Sequence, residues 1–387
     1  MLPFVRMLEY GNIAPAAPEL KSFKGWGAGY PLFSLYSNGE LYGIGQSYTS
    51  FGDGVNAVYN DWHLIRRDVD EIYTGYRDSY YTLIKTKDGK YYVTGGRSSV
   101  IFPGSGYPYD VNFFDITSNM VLPDNSAFKH IDFDGYSIFA ISENNDLFAT
   151  GNFNYYSNGS SNSQMSWTKI MSNVKMVSRS DEGYFTWITT LDNKVFRAGT
   201  NTRFTLIRGT SGTATLTTFT EYVPTVPYKS AYCVGYKVYF QDINNKIYVI
   251  GSGDSDASMG NGNTGTMVYT PESNFSTLDE LPSTLYYTSG NTYNTFILNG
   301  STVKYAGYNQ SGNGGTGLSR QTTFTNVIGI PPITSTDEFT IILGASTSYI
   351  RYYGSVWGAG RGAYIYGNTN GGFYINEFVE MKLPREI

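Results

Sequence analysis

The chain of 387 residues holds one cysteine, Cys233, and two histidines, His63 and His130. A Cys and His metal centre draws on three or four ligands, so these three scattered residues exclude one, and a lone thiol excludes a disulfide within the chain. Charge is also scarce: 15% of residues are charged, against about 25% in an average soluble domain. Lys and Arg number 27 against 32 Asp and Glu, the net charge is −5, and the longest basic run is the pair Arg66 and Arg67. Nucleic-acid binding by phosphate neutralisation is therefore not expected. No run approaches the roughly 18 apolar residues of a membrane span. Arg6 and Glu9 interrupt the first ten residues where a secretion signal would be apolar, so we expect no signal peptide and a chain beginning at Met1.

Aromatic residues and glycine are plentiful: Phe, Tyr and Trp make up 17% of the chain, with 44 Gly. Together with many Asn, Ser and Thr, this favours short strands and tight turns. A unit of strand, polar turn, strand and glycine recurs as LFSLYSNGELYGIG (32–45), YTLIKTKDGKYYVTG (81–95), IFAISENNDLFATG (138–151), TWITTLDNKVFRAG (186–199), VYFQDINNKIYVIG (238–251) and TFILNGSTVKYAG (295–307). A degenerate seventh copy is expected as YIRYYG (349–354), a long turn, and AYIYG (363–367). The closing glycines Gly45, Gly95, Gly151, Gly199, Gly251, Gly307 and Gly367 are 50, 56, 48, 52, 56 and 60 residues apart. Each interval accommodates four short strands with their turns, which predicts an all-β, seven-bladed β-propeller of four-stranded blades.

Asn38-Gly39, Asp88-Gly89, Asn144-Asn145, Asp192-Asn193 and Asn244-Asn245 supply the residues that tolerate positive φ in hairpins, and are assigned as structural. After the glycines come Gly-rich loops, fullest in GYNQSGNGGTG (307–317) and shorter in GQSYTSFGDG (45–54). No helix or lysine follows in the manner of a phosphate-binding loop. Over residues 20–387 the sequence resembles the repeats of the regulator of chromosome condensation family, whose loop runs G-x-N-x-x-G-Q-L-G-x-G. Gly307, Asn309, Gly312, Gly315 and Gly317 match that spacing, and Asn313 and Gly314 replace the Gln-Leu pair. The resemblance implies a seven-bladed propeller, and the leftover C-terminal strand INEFVEMKL (375–383) is predicted to complete the first blade as its fourth, outer strand, which is also the closure the resemblance implies. That blade otherwise has LKSFKGWGAG (20–29) and the first hairpin.

Residues 1–19 fall outside the repeat as an arm and linker. Leu2, Phe4, Val5, Met7, Leu8 and Tyr10 make the arm apolar enough to dock on a partner. No catalytic cluster is expected, and no cofactor. Asp132 with Asp134, and Asp181 with Glu182, are the nearest approach to paired carboxylates and are assigned as loop charges. Asp254, Asp256 and Ser258 open like a calcium loop, but residue 265 is Gly where the bidentate Glu would stand. His63 and His130 are expected to be packed or hydrogen-bonded.

The remaining expectation is a non-catalytic binding module, since Tyr, Asn, Ser and Gly make adaptable contact surfaces. Composition and layout resemble bacteriophage virion proteins of the tail, collar or fibre. On that resemblance the arm anchors to other virion proteins, and the propeller meets protein or host glycan through residues such as Tyr155, Tyr156 and Trp357. The alternative is a soluble protein-interaction propeller, of inhibitor or GTPase-regulator type. The family's GTPase-exchange role would carry over by resemblance, although its basic tail is missing.

Overall fold

A computed structural model describes residues 17–25, 31–76, 80–95, 110–133, 137–151, 164–180, 185–201, 206, 215–252, 259–262, 267–272, 283–286, 294–309, 311–317, 320–336, 339–343, 347–361 and 374–384. They form seven four-stranded antiparallel sheets, each a meander in chain order. The first blade is β1 (Leu20–Gly25), β2 (Leu32–Tyr36), β3 (Leu41–Gln46) and β4 (Val58–Arg66), and the second β5 (Val69–Tyr76), β6 (Tyr80–Thr86), β7 (Tyr91–Gly95) and β8 (Asp110–Asp115). The third is β9 (Phe128–Phe133), β10 (Ser137–Ser142), β11 (Leu147–Gly151) and β12 (Gln164–Met171), and the fourth β13 (Val174–Ser180), β14 (Phe185–Thr190), β15 (Val195–Thr200) and β16 (Thr215–Tyr222). The fifth is β17 (Tyr228–Val234), β18 (Lys237–Asp242), β19 (Ile247–Ser252) and β20 (Met267–Glu272), and the sixth β21 (Ser283–Tyr286), β22 (Asn294–Asn299), β23 (Thr302–Gly307) and β24 (Gln321–Asn326). The last is β25 (Thr340–Leu343), β26 (Thr347–Tyr352), β27 (Ser355–Arg361) and β28 (Tyr374–Glu380).

First strands of neighbouring blades lie against one another, β1 on β5, β5 on β9 and β13 on β17, which places them at the ring axis. Second strands such as β2, β10, β14 and β18 are buried along their whole length, while the fourth strands β4 and β16 are largely exposed. The repeated hairpin is thus the middle pair of each blade, sandwiched between the faces of adjacent sheets. Its apolar residues form clusters that bridge blades, such as Phe33, Leu35 and Leu41 of the first with Val69, Ile72 and Ile84 of the second.

The hairpin turns follow their sequence. Gly39, Gly89, Asn145, Asn193 and Asn245 all take positive φ, between 60° and 92°. In each, the amide of that residue donates to the carbonyl three back, as from Gly39 to Tyr36 at 2.8 Å, closing a type I turn on a left-handed residue. The repeat glycines Gly45, Gly95, Gly151, Gly199, Gly251 and Gly307 also take positive φ, from 107° to 146°. Opposite each, the register of the outer strand slips: Gly43 faces His63, but Gly45 faces Tyr59. The same slip recurs at the other five. The repeat glycine therefore marks a bulge that bends the outer strand, and a Cβ on Gly251 would meet the Tyr236 carbonyl oxygen at 2.2 Å.

Two expectations are corrected. In the seventh blade the hairpin is β26 and β27, joined at Tyr353 and Gly354, and the bulge falls at Gly360 with φ 113°. Gly367 lies outside the described residues. The C-terminal strand β28 pairs with β27 in its own blade and does not complete the first. The first blade already has its fourth strand in β4, whose exposed, polar-rich sequence VYNDWHLIR lacks the apolar run that marks inner strands.

The ring closes by side-chain packing. Leu20, Phe23, Leu32 and Ile44 of the first blade form one buried cluster with Ile342, Tyr349, Val356 and Ile375 of the last, extended by Met381 and Leu383. Phe23 and Tyr349 have ring centroids 5.7 Å apart. Arg351 Nη2 donates to the Leu20 carbonyl at 2.6 Å, and Trp62 Nε1 to that of Lys382 at 3.0 Å.

Candidate interaction face

In a four-stranded meander the turn between second and third strands leaves from the same end as the connection to the next blade. The ring therefore has a turn face, built from hairpin turns and inter-blade connectors, and a loop face, built from the first-to-second and third-to-fourth connections.

On the loop face the Gly-rich loops clasp the next blade. Gly54 N–H donates to the Val111 carbonyl at 3.0 Å, Gly262 to Thr322 at 2.9 Å and Gly317 to Asn376 at 2.9 Å, each acceptor on the following blade's outer strand. Gly52, Gly260 and Gly315 sit on the rings of Phe113, Phe324 and Phe378, where an added Cβ would come within 2.3–2.4 Å of ring carbons. Asn309 is fully buried; its Oδ1 accepts from Gly314 N–H at 2.6 Å and its Nδ2 donates to the Gly317 carbonyl at 2.6 Å. The family-like loop motif is thus a joint between blades. Its amides are engaged by protein carbonyls, which accounts for the motif without a phosphate.

The other sequence-derived residues separate. Asp132 is held by Arg179, a nearly buried side chain reaching from the fourth blade to the third, with Nε to Oδ2 at 2.7 Å. Arg179 also donates to Ser137 Oγ at 2.7 Å and lies 4.7 Å above the Phe139 ring. A carboxylate bound this way is poorly placed to exchange protons with a substrate. Cys233 is buried in the fifth blade, with its amide bonded to Ser178 Oγ. His63 stacks on Tyr59 with ring centroids 4.2 Å apart and, like His130, is exposed. Trp357 is half-buried against the cluster of Phe296, Ile350 and Phe378. Among the described residues no three His, Cys, Asp or Glu are grouped to hold a metal, and no helix is long and apolar enough to cross a membrane. Asp134, Asp181, Glu182, Asp254, Asp256, Ser258, Tyr155, Tyr156 and the arm residues Leu2, Phe4, Val5, Met7, Leu8 and Tyr10 lie outside the described residues.

Exposed apolar side chains occur on both faces, with Val55, Val58 and Tyr374 at the loop-face end of outer strands, and they adjoin one another on the turn face. Leu191 and Ile243 project from hairpin turns and are 48% and 50% exposed, and Val223, on the connector between their blades, is 79% exposed. Tyr353 and Val121 add further apolar surface on a turn and a connector of the same face, while Ile328 lies against the Gly-rich loop, its N–H bonded to the Gly315 carbonyl. Near the first two blades the face is ionic: Lys21 pairs with Asp70 at 2.6 Å, Lys85 with Glu71 at 2.8 Å and Arg67 with Glu40 at 2.6 Å. The Lys21 ammonium holds the Asp70 carboxyl below its usual range.

At the axial edge of this face, five first strands carry a one-residue bulge at their second position. Two residues of the first strand oppose one of its neighbour at Leu20 to Ser22, Val69 to Glu71, Phe128 to His130, Val174 to Met176 and Tyr228 to Ser230. The bulged residues are Lys21, Asp70, Lys129, Lys175 and Lys229. A bulge breaks the alternation of side chains and re-aims the extra residue. Lys175 Nζ donates to the Lys229 carbonyl at 2.9 Å, Lys129 Nζ to Asn145 Oδ1 at 2.7 Å, and Lys229 Nζ to Asn245 Oδ1. Partial burial and the neighbouring Lys175 charge lower the Lys229 pKa, against the opposing pull of Asp242. Sequence reading missed this set, although its signal is present as LKSF, VDEI, FKHI, VKMV and YKSA, an apolar residue, a charge, a spacer and a core residue.

No protein-family model matches the sequence, and no curated protein matches it. Solved structures share its fold. Prp20p from Saccharomyces cerevisiae, described for its binding to Gsp1p and histones, superposes with a TM-score of 0.72 at 14% identity, over 95% of this chain and 86% of that one. The yeast protein bound to Kap60, named there as RCC1, gives 0.70 at 14% identity, over 95% and 85%. Human WBSCR16 gives 0.62 at 14% identity, over 86% and 87%. These likenesses place the chain's fold among seven-bladed propellers similar to that of RCC1.

Proposed function

We propose that this chain is a non-catalytic protein-interaction propeller that binds its partner through the turn face. The observation that carries the reading is the adjacency of exposed apolar residues on two neighbouring blades: Leu191 and Ile243 on their hairpin turns and Val223 on the connector between them, with Val121 and Tyr353 elsewhere on the same face. Adjoining exposed apolar side chains of this kind mark interaction surfaces, because covering them with a partner removes apolar area from water. The fold shared with Prp20p, a binder of Gsp1p and histones, supports a protein as that partner. This reading is the alternative raised by the sequence; the virion placement has no support among these structures. The arm residues Leu2 to Tyr10 are proposed as a second contact, one that deleting residues 1–12 would abolish without unfolding the ring.

The test is quantitative cross-linking and capture from extracts of the source, comparing the intact chain with L191D/V223D/I243D. Loss of a defined set of partners with the thermal midpoint unchanged is expected. An identical partner set for both proteins overturns the turn face as the contact.

A further inference from the structure

The bulge positions at the axial edge form a chemical series that the fold alone does not require. A bulge needs an extra residue, not a lysine. Four of the five bulged residues are nonetheless Lys, in a chain with net charge −5. Lys21 is neutralised by Asp70, the fifth member. Lys129, Lys175 and Lys229 belong to consecutive blades and have only neutral oxygens as partners, with no carboxylate within ion-pair distance among the described residues. Lys175 reaches across to the strand that carries Lys229, so two cations are held close together, and Asp242, the carboxylate that acts on Lys229, lies beyond ion-pair distance. Such an arrangement is unfavourable in isolation and becomes favourable when an anion spans it.

We propose that Lys129, Lys175 and Lys229 form a basic collar at the turn-face mouth of the ring axis, and that it takes an acidic peptide segment of a partner protein. The assignment rests on the turn-face reading and adds the partner's chemistry. A peptide fits better than a nucleic acid for two reasons. Leu191, Val223 and Ile243 belong to the same two blades as Lys175 and Lys229, so an occupant must offer apolar side chains beside its carboxylates. A polyanion longer than the collar would meet the acidic balance of the remaining surface. The partner segment is therefore a run of Asp or Glu interleaved with aliphatic residues.

The probe is a labelled 12-residue peptide alternating Glu and Leu, titrated by fluorescence anisotropy against the full chain at low and high salt. Controls are the same peptide with Lys for Glu, and a 12-mer of oligothymidine. The intact chain should bind the acidic peptide more weakly as salt rises. K129Q/K175Q/K229Q should bind it about tenfold more weakly, and K129R/K175R/K229R should bind like the intact chain. All three lysines are exposed or half-buried, so equal thermal midpoints are expected and would show that folding is unchanged. No binding by the intact chain, or equal binding by the Gln variant, overturns the collar. Tighter binding of oligothymidine with the same lysine dependence overturns the peptide assignment. In the extract experiment, partners lost from L191D/V223D/I243D but kept by the Gln variant would refute the collar alone, and partners kept by both would refute the turn face itself.

Discussion

Trp62 and Lys382 stand at opposite ends of the chain, and the indole N–H of one donates to the carbonyl of the other at 3.0 Å. With the Arg351 bond to Leu20 and the contact of Phe23 with Tyr349, this bond joins the first blade to the last. No strand is shared between them, so the seam depends on packing.

Replacing Phe23, fully buried at the seam, with Ala should cost about 3–5 kcal/mol of unfolding free energy, as aromatic truncations in cores do. Trp62→Phe, which removes only the indole donor, should cost about 1 kcal/mol. Chemical denaturation of both variants checks the ranking. Deleting residues 374–387 removes the outer strand of the last blade together with Ile375, Met381 and Leu383 of the seam, and should lower the thermal midpoint by many degrees.

The bulge glycines and turn glycines should respond differently to alanine. Gly251→Ala puts a Cβ 2.2 Å from a backbone oxygen, whereas Gly89→Ala finds nothing within 4 Å and suffers only the left-handed backbone cost of about 1–2 kcal/mol. Calorimetry should show the first variant several times more destabilised than the second. Equal losses would refute the steric role assigned to the repeat glycine.

Asp132→Ala leaves the Arg179 guanidinium nearly buried without its carboxylate, and should destabilise by about 3–5 kcal/mol. Adding Arg179→Met removes the stranded charge and should recover part of that loss. A double variant as weak as the sum of the two single changes would mean that the residues do not act as a pair.

Burial and the hydrogen bond to Asp53 push the Tyr59 phenol up to about 12. Burial likewise raises Tyr73, Tyr228 and Tyr239. An acid whose folded-state pKa lies above its unfolded value stabilises the fold fully below the unfolded value, near 10, and loses that contribution as pH rises through the folded one. Phenolate absorbance should therefore lag behind that of free tyrosine between pH 10 and 12, with stability declining over the same window. Tyr59→Phe should remove one tyrosine's share of the lag, seen as a smaller absorbance change above pH 10.

Sequence made the middle strands legible because they are apolar, bounded by turn residues and closed by glycine. Outer strands were not, since β4 alternates exposed and half-buried residues and carries Asn60, Asp61 and His63. Overlooking it leaves the first blade one strand short and assigns the spare C-terminal strand to fill the gap. In the seventh blade, the choice between Gly360 and Gly367 turned on a hairpin with Tyr353 and Gly354 at its tip instead of an Asn or Asp pair. The lysines of the axial edge were visible only as isolated charges. Their equivalence depends on register, and register is set by pairing between strands.

The uninterrupted meander of each blade has a consequence for how such a chain changes over generations. A blade occupies one continuous stretch of sequence, from its axial strand to its rim strand, and lends no strand to another. Duplication or loss of a gene segment about fifty codons long would therefore add or remove one whole blade without orphaning part of its neighbour. The number of blades is then limited by the angle at which adjacent sheets pack, and the seam at Phe23 and Tyr349 is where any miscount would first be felt.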